Sequence, residues 1–158
     1  MKDYFYDFHI HSCLSPCGDN DMTPNNLVGM ALVAGLQVIG ITDHNTCKNA
    51  PAVLRVAEEA GLLALPGMEL CTAEEAHVVC LFETLEGAMD FDRYIYNSMP
   101  HIKNKAEIFG EQRILDGNDQ LTGTLEDLLL VASFVGADEV KALCEQYGGT
   151  AFPAHVNR

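Results

Sequence analysis

Short β-branched runs alternate with helical segments along this chain, and that order predicts an α/β fold on a mainly parallel sheet with crossover helices. Three observations carry the prediction. Helix start and stop signals fall between the β-runs. No internal repeat, low-complexity tract or Pro/Gly linker interrupts them. The length, 158 residues, suits one domain able to bury a core, so residues 1–158 are read as a single domain.

Tyr4 to His11 reads as the first strand. Thr23-Pro24 gives an N-cap with proline at the first helical position, and Gly35 gives the stop. Leu27, Met30, Ala31 and Ala34 share a face at helical spacing. Residues 38–42 form a second strand, and Pro51 to Ala60 a second helix ended by Gly61. Leu62 to Leu65 and Met68 to Leu70 make a third strand region, and His77 to Phe82 a fourth. Gly87 to Met99 is predicted helical with Phe91 and Ile95 inward, whereas residues 100–123 lack a period and read as loop or insertion. Thr124 and Asp127 resemble a capping box, predicting a helix there. A helix from about Asp138 to Tyr147 stops at Gly148-Gly149, and Thr150 to His155 is the last strand.

Composition narrows function. Apolar residues make up 48% and charged residues 20%, an ordinary globular balance. No apolar run approaches the ~18–20 residues of a membrane helix, and Met1-Lys2-Asp3-Tyr4 does not begin a signal peptide. A cytoplasmic protein with no membrane partner is expected, its six scattered cysteines reduced. A net charge of −14 repels polyanions, so long nucleic acid is not an expected partner. A small anionic substrate stays open if bound cations reverse the local sign.

Five of the six histidines sit in or beside β-runs. His9 and His11, two apart, share a strand face with Asp7 and offer paired imidazole lone pairs to a divalent ion, with Asp7 placed to orient one ring. A solvated polar face explains the same spacing. His44, in Thr42-Asp43-His44-Asn45, is compatible with a hydrogen-bonded turn. Glu69 follows Pro66-Gly67-Met68 in apolar surroundings, where a carboxylate must be paired or metal-bound unless it is exposed. His77 opens one strand and His155 closes another; each alone suits a core histidine. Jointly, the separate strand regions each offer a His or Glu near an end, and a barrel rim would gather them. His101, beside Pro100, is read as non-functional.

Asp7-Phe8-His9-Ile10-His11-Ser12, Thr42-Asp43-His44-Asn45, Gly67-Met68-Glu69, His77 before an apolar strand and Pro153-Ala154-His155 resemble, in order, the polymerase and histidinol phosphatase (PHP) family. The likeness is strongest to its small stand-alone bacterial members. It implies a distorted TIM-like (β/α)7 barrel of about seven units and on the order of two or three divalent ions, zinc, manganese or iron. His9 and His11 would hold one ion. Glu69 would bridge it to a second held by His77 and His155, and His44 would help hold a third. Arg158 would clamp phosphate in a forked pairing. The implied activity is hydrolysis of a small phosphate ester by a metal-bridging hydroxide.

The resemblance has gaps. Family members usually place a further His or Asp in the loop after the first strand; here Cys17 or Asp19 could substitute, with Cys13 as a neighbour. An Asp-x-His motif on a later strand is missing, so the barrel is expected to lack its last strands: either the chain is a fragment, or a partner chain or homo-oligomer completes the barrel and covers the open edge, or the site is reduced. Two alternatives follow: a non-catalytic metal-binding or regulatory module, and a thiol sensor using Cys13 and Cys17.

Overall fold

The computed structural model describes residues 3–156. Its main sheet holds five strands: β1 (Tyr6–Ile10), β2 (Val38–Ile41), β3 (Leu63–Cys71), β4 (His77–Phe82) and β7 (Gly149–Pro153), in that spatial order. β1, β2 and β3 run parallel, joined by α1 (Pro24–Val33) and α2 (Ala50–Ala60). β4 then pairs antiparallel with β3, and β7 antiparallel with β4. Only residues 72–76 join β3 to β4, too few for the crossover a parallel pair needs. β4 is therefore the one reversed strand, and β7 runs with β1 to β3.

The caps behave as the sequence predicts. The Thr23 side chain accepts from the Asn26 N–H, proline follows, and Gly61 ends α2 in the left-handed region at φ 73°. α3 (Leu85–Asn97) is capped by Thr84 and buries Phe91 and Ile95. α5 (Val140–Gln146) leads into β7. The third strand region is one continuous strand through Pro66-Gly67. A Cβ on Gly67 would stand 2.5 Å from the Cys80 carbonyl oxygen, so β4 approaches β3 over a bare backbone.

Four expectations need correction. The barrel does not close: the described sheet is open, with β1 and β7 at its edges. Met30 is 65% exposed, and Val28 takes its place on the inward face of α1. Residues 100–123 contain a short helix α4 (Ala106–Phe109) and most of a hairpin, β5 (Arg113–Leu115) with β6 (Leu121–Thr124). Thr124 caps no helix. It ends β6 opposite Arg113, and buried Gln112 captures the Leu125 and Asp127 carbonyls and the Leu129 N–H, so those backbone groups are spent on the insertion rather than on a helical turn.

Helices cover one face of the sheet. Ile39, Ile41, Met68, Leu70, Cys80 and Phe82 meet α1, α2, α3 and α5 there in one continuous core. Alternation turns Glu69, between Met68 and Leu70, to the opposite face. That face carries a cleft of about 770 Å³ lined by Phe8, Leu65, Leu81 and Phe152 and reaching His9. Among the described residues, no helix is long and apolar enough to cross a membrane.

Candidate metal centre

Five imidazoles ring one carboxylate. Glu69 is 0% exposed. Its Oε1 lies 3.1 Å from His9 Nε2, 3.1 Å from His77 Nδ1 and 2.9 Å from His155 Nε2. Its Oε2 lies 3.2 Å from His11 Nε2 and 3.1 Å from His44 Nδ1. All six proposed ligands therefore meet at one end of the sheet. His9 and His11 come from the end of β1, His44 from just past β2, Glu69 from late β3 and His155 from just past β7. His77 belongs to the same end because β4 is reversed, so its start lies beside the other strands' ends.

Local sequence sets these positions. The β1–β2 register shifts between Asp7 and Ile10, a bulge that takes in His9. Asp7 Oδ1 accepts the His9 N–H at 3.0 Å, so Asp7 orients the backbone of His9 rather than an imidazole. His44 sits where β2 continues alongside β3: Glu69 N–H donates to the Asp43 carbonyl, and Asn45 N–H to the Glu69 carbonyl. Asn45, at φ 53°, accepts the Cys71 N–H and donates to the Leu129 and Val131 carbonyls, tying the 129–131 loop over His44 and His77.

Asp43 is a buried hub that sequence reading missed. It accepts the Ser12 N–H at 2.7 Å, the Ser12 hydroxyl at 2.7 Å and the Ser15 hydroxyl at 2.6 Å. Ser15 Oγ, its proton given to Asp43, accepts the His44 N–H and lies 3.1 Å from His11 Nδ1. The His11 Nδ1–H then donates to Ser15, which turns Nε2 toward Glu69.

The ionisation pattern follows from this crowding. Burial raises the Asp43 carboxyl, opposed by its serine bonds. Burial also raises Glu69, but the imidazoles of His11 and His9 beside it, with charge on His44, outweigh it and hold the carboxyl far below the usual range. Burial lowers His11, yet contacts with Cys17 and Glu69 bring it up to about 10. His44 is lowered to about 4, by burial first and then by charge on His11.

The donor set fits divalent cations. Glu69 Oε2 is buried with no hydrogen-bond donor; the nitrogens of His11 and His44 are close but not in hydrogen-bonding geometry. His9 Nε2 and His11 Nε2 also face one another at 3.1 Å. Ligands at about 2.0–2.1 Å from a tetrahedral ion lie about 3.3 Å apart, near the separations found here. Residues His9, His11, Glu69 and residues His44, Glu69, His77 each bring their donor atoms within 4.8 Å of one another.

The remaining candidates separate. Asp19 spends its Oδ1 on the Asp21 N–H. Cys13 is buried, its thiol toward the Arg113 carbonyl, whereas Cys17 stands with His11 and His44, so the two thiols serve different surroundings. His101 pairs with Asp127 at 2.8 Å in the insertion. Arg158 lies outside the described residues.

A family model described as the PHP domain matches residues 7–148. An uncharacterized protein of Methanocaldococcus jannaschii is 31% identical over 84 residues, 48% of each chain. A 5'-3' exoribonuclease of Haemophilus influenzae is 26% identical over 116 residues, 73% of this chain and 39% of that one. The chain spans less than half the length of the curated relatives it matches. Among solved structures, a Bifidobacterium adolescentis protein provisionally assigned as a metal-dependent phosphoesterase aligns at TM-score 0.65 and 19% identity, covering 98% of this chain and 68% of that one. Endonuclease Q of Pyrococcus furiosus aligns at TM-score 0.65 and 17% identity, covering 95% and 34%.

Proposed function

This chain belongs to the PHP domain family, and from that membership we propose that it is a metal-dependent hydrolase of phosphate esters. One observation carries the reading: a wholly buried carboxylate, one oxygen without a hydrogen-bond donor, faces five imidazoles from four strand regions. A structural acid would be matched by donors. Here Oε1 has the ring nitrogens of His77 and His155 as partners but Oε2 has no donor, and the converging nitrogens and oxygens share an affinity for cations.

His9, His11, His44, Glu69, His77 and His155 hold the ions in this reading, with Glu69 offering one oxygen to each side. Bound divalent ions supply a water of lowered pKa and neutralise charge on the phosphoryl oxygens. The chain's own part is positional. Asp43 and Ser15 hold the His11 tautomer, Asn45 holds the loop beside His44 and His77, and the apolar cleft shields one flank of His9. Pairing of Arg158 with the phosphate remains part of the proposal on the resemblance alone.

A small phosphate ester is the first substrate reading, favoured by the net charge of −14. A nucleic-acid diester is the second, favoured by relatives named exoribonuclease and endonuclease; overall charge by itself therefore does not exclude nucleic acid. Purified protein loaded with zinc or manganese is to be assayed on an aryl phosphate monoester, an aryl diester and a short RNA. Turnover that depends on metal and disappears in Glu69→Gln is expected, and preference among the three probes names the ester. Metal uptake without hydrolysis of any probe supports the non-catalytic module instead. No uptake at all overturns both.

A further inference from the structure

The loop from Ser12 to Gly18 is built more tightly than a connector requires. Asp43 binds it at Ser12 and Ser15, and the Gly18 N–H donates to the Ser15 carbonyl at 2.8 Å. A Cβ on Gly18 would stand 2.2 Å from the Ser12 carbonyl oxygen, so only glycine lets the loop fold back on its own start. The result is the position of Cys17. It is the one exposed cysteine of the six, yet its sulfur lies within 4.8 Å of the donor nitrogens of His11 and His44. Those two residues are the ones whose nitrogens stand 3.2 and 3.1 Å from Glu69 Oε2, the fully buried oxygen with no hydrogen-bond donor. A thiol and two imidazoles thus converge from three separate segments, with the unpartnered acid oxygen behind the two imidazoles.

We propose that Cys17 is a thiolate ligand to a cation shared with His11 and His44, beside Oε2 of Glu69. The inference rests on the metal-dependent reading above and deepens it. It divides the cluster into two chemically unlike halves. The Oε2 side carries sulfur; the Oε1 side, with His9, His77 and His155, carries only nitrogen and oxygen. Thiolate favours zinc over manganese or magnesium, whereas imidazole and carboxylate accept manganese as well. One zinc is retained on the sulfur side while the other side exchanges with the metal supplied. On binding, the thiol proton passes to solvent and the sulfur lone pair forms the bond to the ion.

Cobalt(II) is the probe, because sulfur ligation gives it a near-ultraviolet charge-transfer band that nitrogen and oxygen ligands do not. Cobalt-loaded native protein is expected to show the band. Cys17→Ala is expected to lose it and to bind cobalt more weakly by at least about tenfold. Cys71→Ala, which removes the buried thiol opposite His77 in the β3–β4 ladder, is expected to keep it. Cys17→His is expected to recover affinity without the band, which separates a lost ligand from a damaged fold. Zinc is also expected to protect Cys17 from iodoacetamide, read by peptide mass mapping. Cobalt bound with no band, or a band surviving in Cys17→Ala, overturns this inference and leaves the hydrolase reading standing. No cobalt bound at all overturns both.

Discussion

Replacing Asp43 with asparagine tests the framework beneath the metal centre. The change keeps size and shape and removes one acceptor position. Asp43 Oδ1 receives the Ser12 N–H and the Ser15 hydroxyl; Oδ2 receives the Ser12 hydroxyl. With the amide oxygen kept at the first position, the new NH2 faces Ser12 Oγ. That oxygen cannot turn to accept it, because its two lone pairs already take the Leu14 N–H and the Asn49 Nδ2. One charge-assisted bond, about 1.5–3 kcal/mol, is lost and a donor is stranded at about 1–3 kcal/mol. Relief of the buried charge returns part of this, since burial already pushes the Asp43 carboxyl upward. A net loss of about 2–3 kcal/mol is expected in urea denaturation of the metal-free protein. Because Ser15 also supports His11, metal affinity is expected to fall by about 10–100-fold. Ser12→Ala combined with Asp43→Asn should then cost less than Ser12→Ala in the native protein, as the two sites share one network. A loss under about 0.5 kcal/mol with unchanged metal affinity would refute the hub.

Two further perturbations follow from the same structure. Gln112→Ala strips three bonds from the Leu125, Asp127 and Leu129 backbone. It is expected to cost about 3 kcal/mol and to open residues 125–131 to proteolysis; unchanged protease resistance counts against it. Metal-free stability is expected to peak near the ordinary histidine pKa of about 6.5. Below it, unfolded His44 binds a proton that the folded state refuses until about pH 4, and the depressed Glu69 loses its contribution as pH falls. Above it, the contribution of His11, held at about 10, is lost as pH rises. Denaturation midpoints across pH should show the decline between about pH 6.5 and 8.5 vanish in His11→Asn, while the buried Cys13 and Cys47 thiols, raised by burial, keep a further loss above that range; a flat profile in native protein refutes this assignment.

Local signals named the elements that local physics decides. Thr23-Pro24, Gly61 and the β-branched run at 38–41 each impose their structure within a few residues. Thr124 with Asp127 carried an equally good local signal and failed, because Gln112 and Arg113, more than ten residues earlier, bind that backbone first. Met30 fails for a related reason: helical spacing gives the inward stripe only within about one position, and Val28 completes the face against α2 instead.

The centre itself was legible where a residue's type and its place at a strand end sufficed, as for His9, His11 and His155. His77 was the hard member, since it opens its strand, and strand starts lie at the wrong end of a parallel sheet. The five residues between β3 and β4 resolve this. A link that short forces an antiparallel turn, the turn reverses β4, and a histidine at the start of a reversed strand arrives at the rim. Asp43 had no such argument available, and Cys17 entered only beside Asp19 as a loop residue the resemblance offered. The position of both depends on the Ser12–Gly18 loop folding back to within reach of β2, a contact spanning about thirty residues that appears in neither segment's own pattern. What a single sequence shows of a metal site is thus the set of ligands delivered by regular elements. Which loop group comes near the imidazoles, and the acid that shapes that loop, become visible only with the tertiary fold.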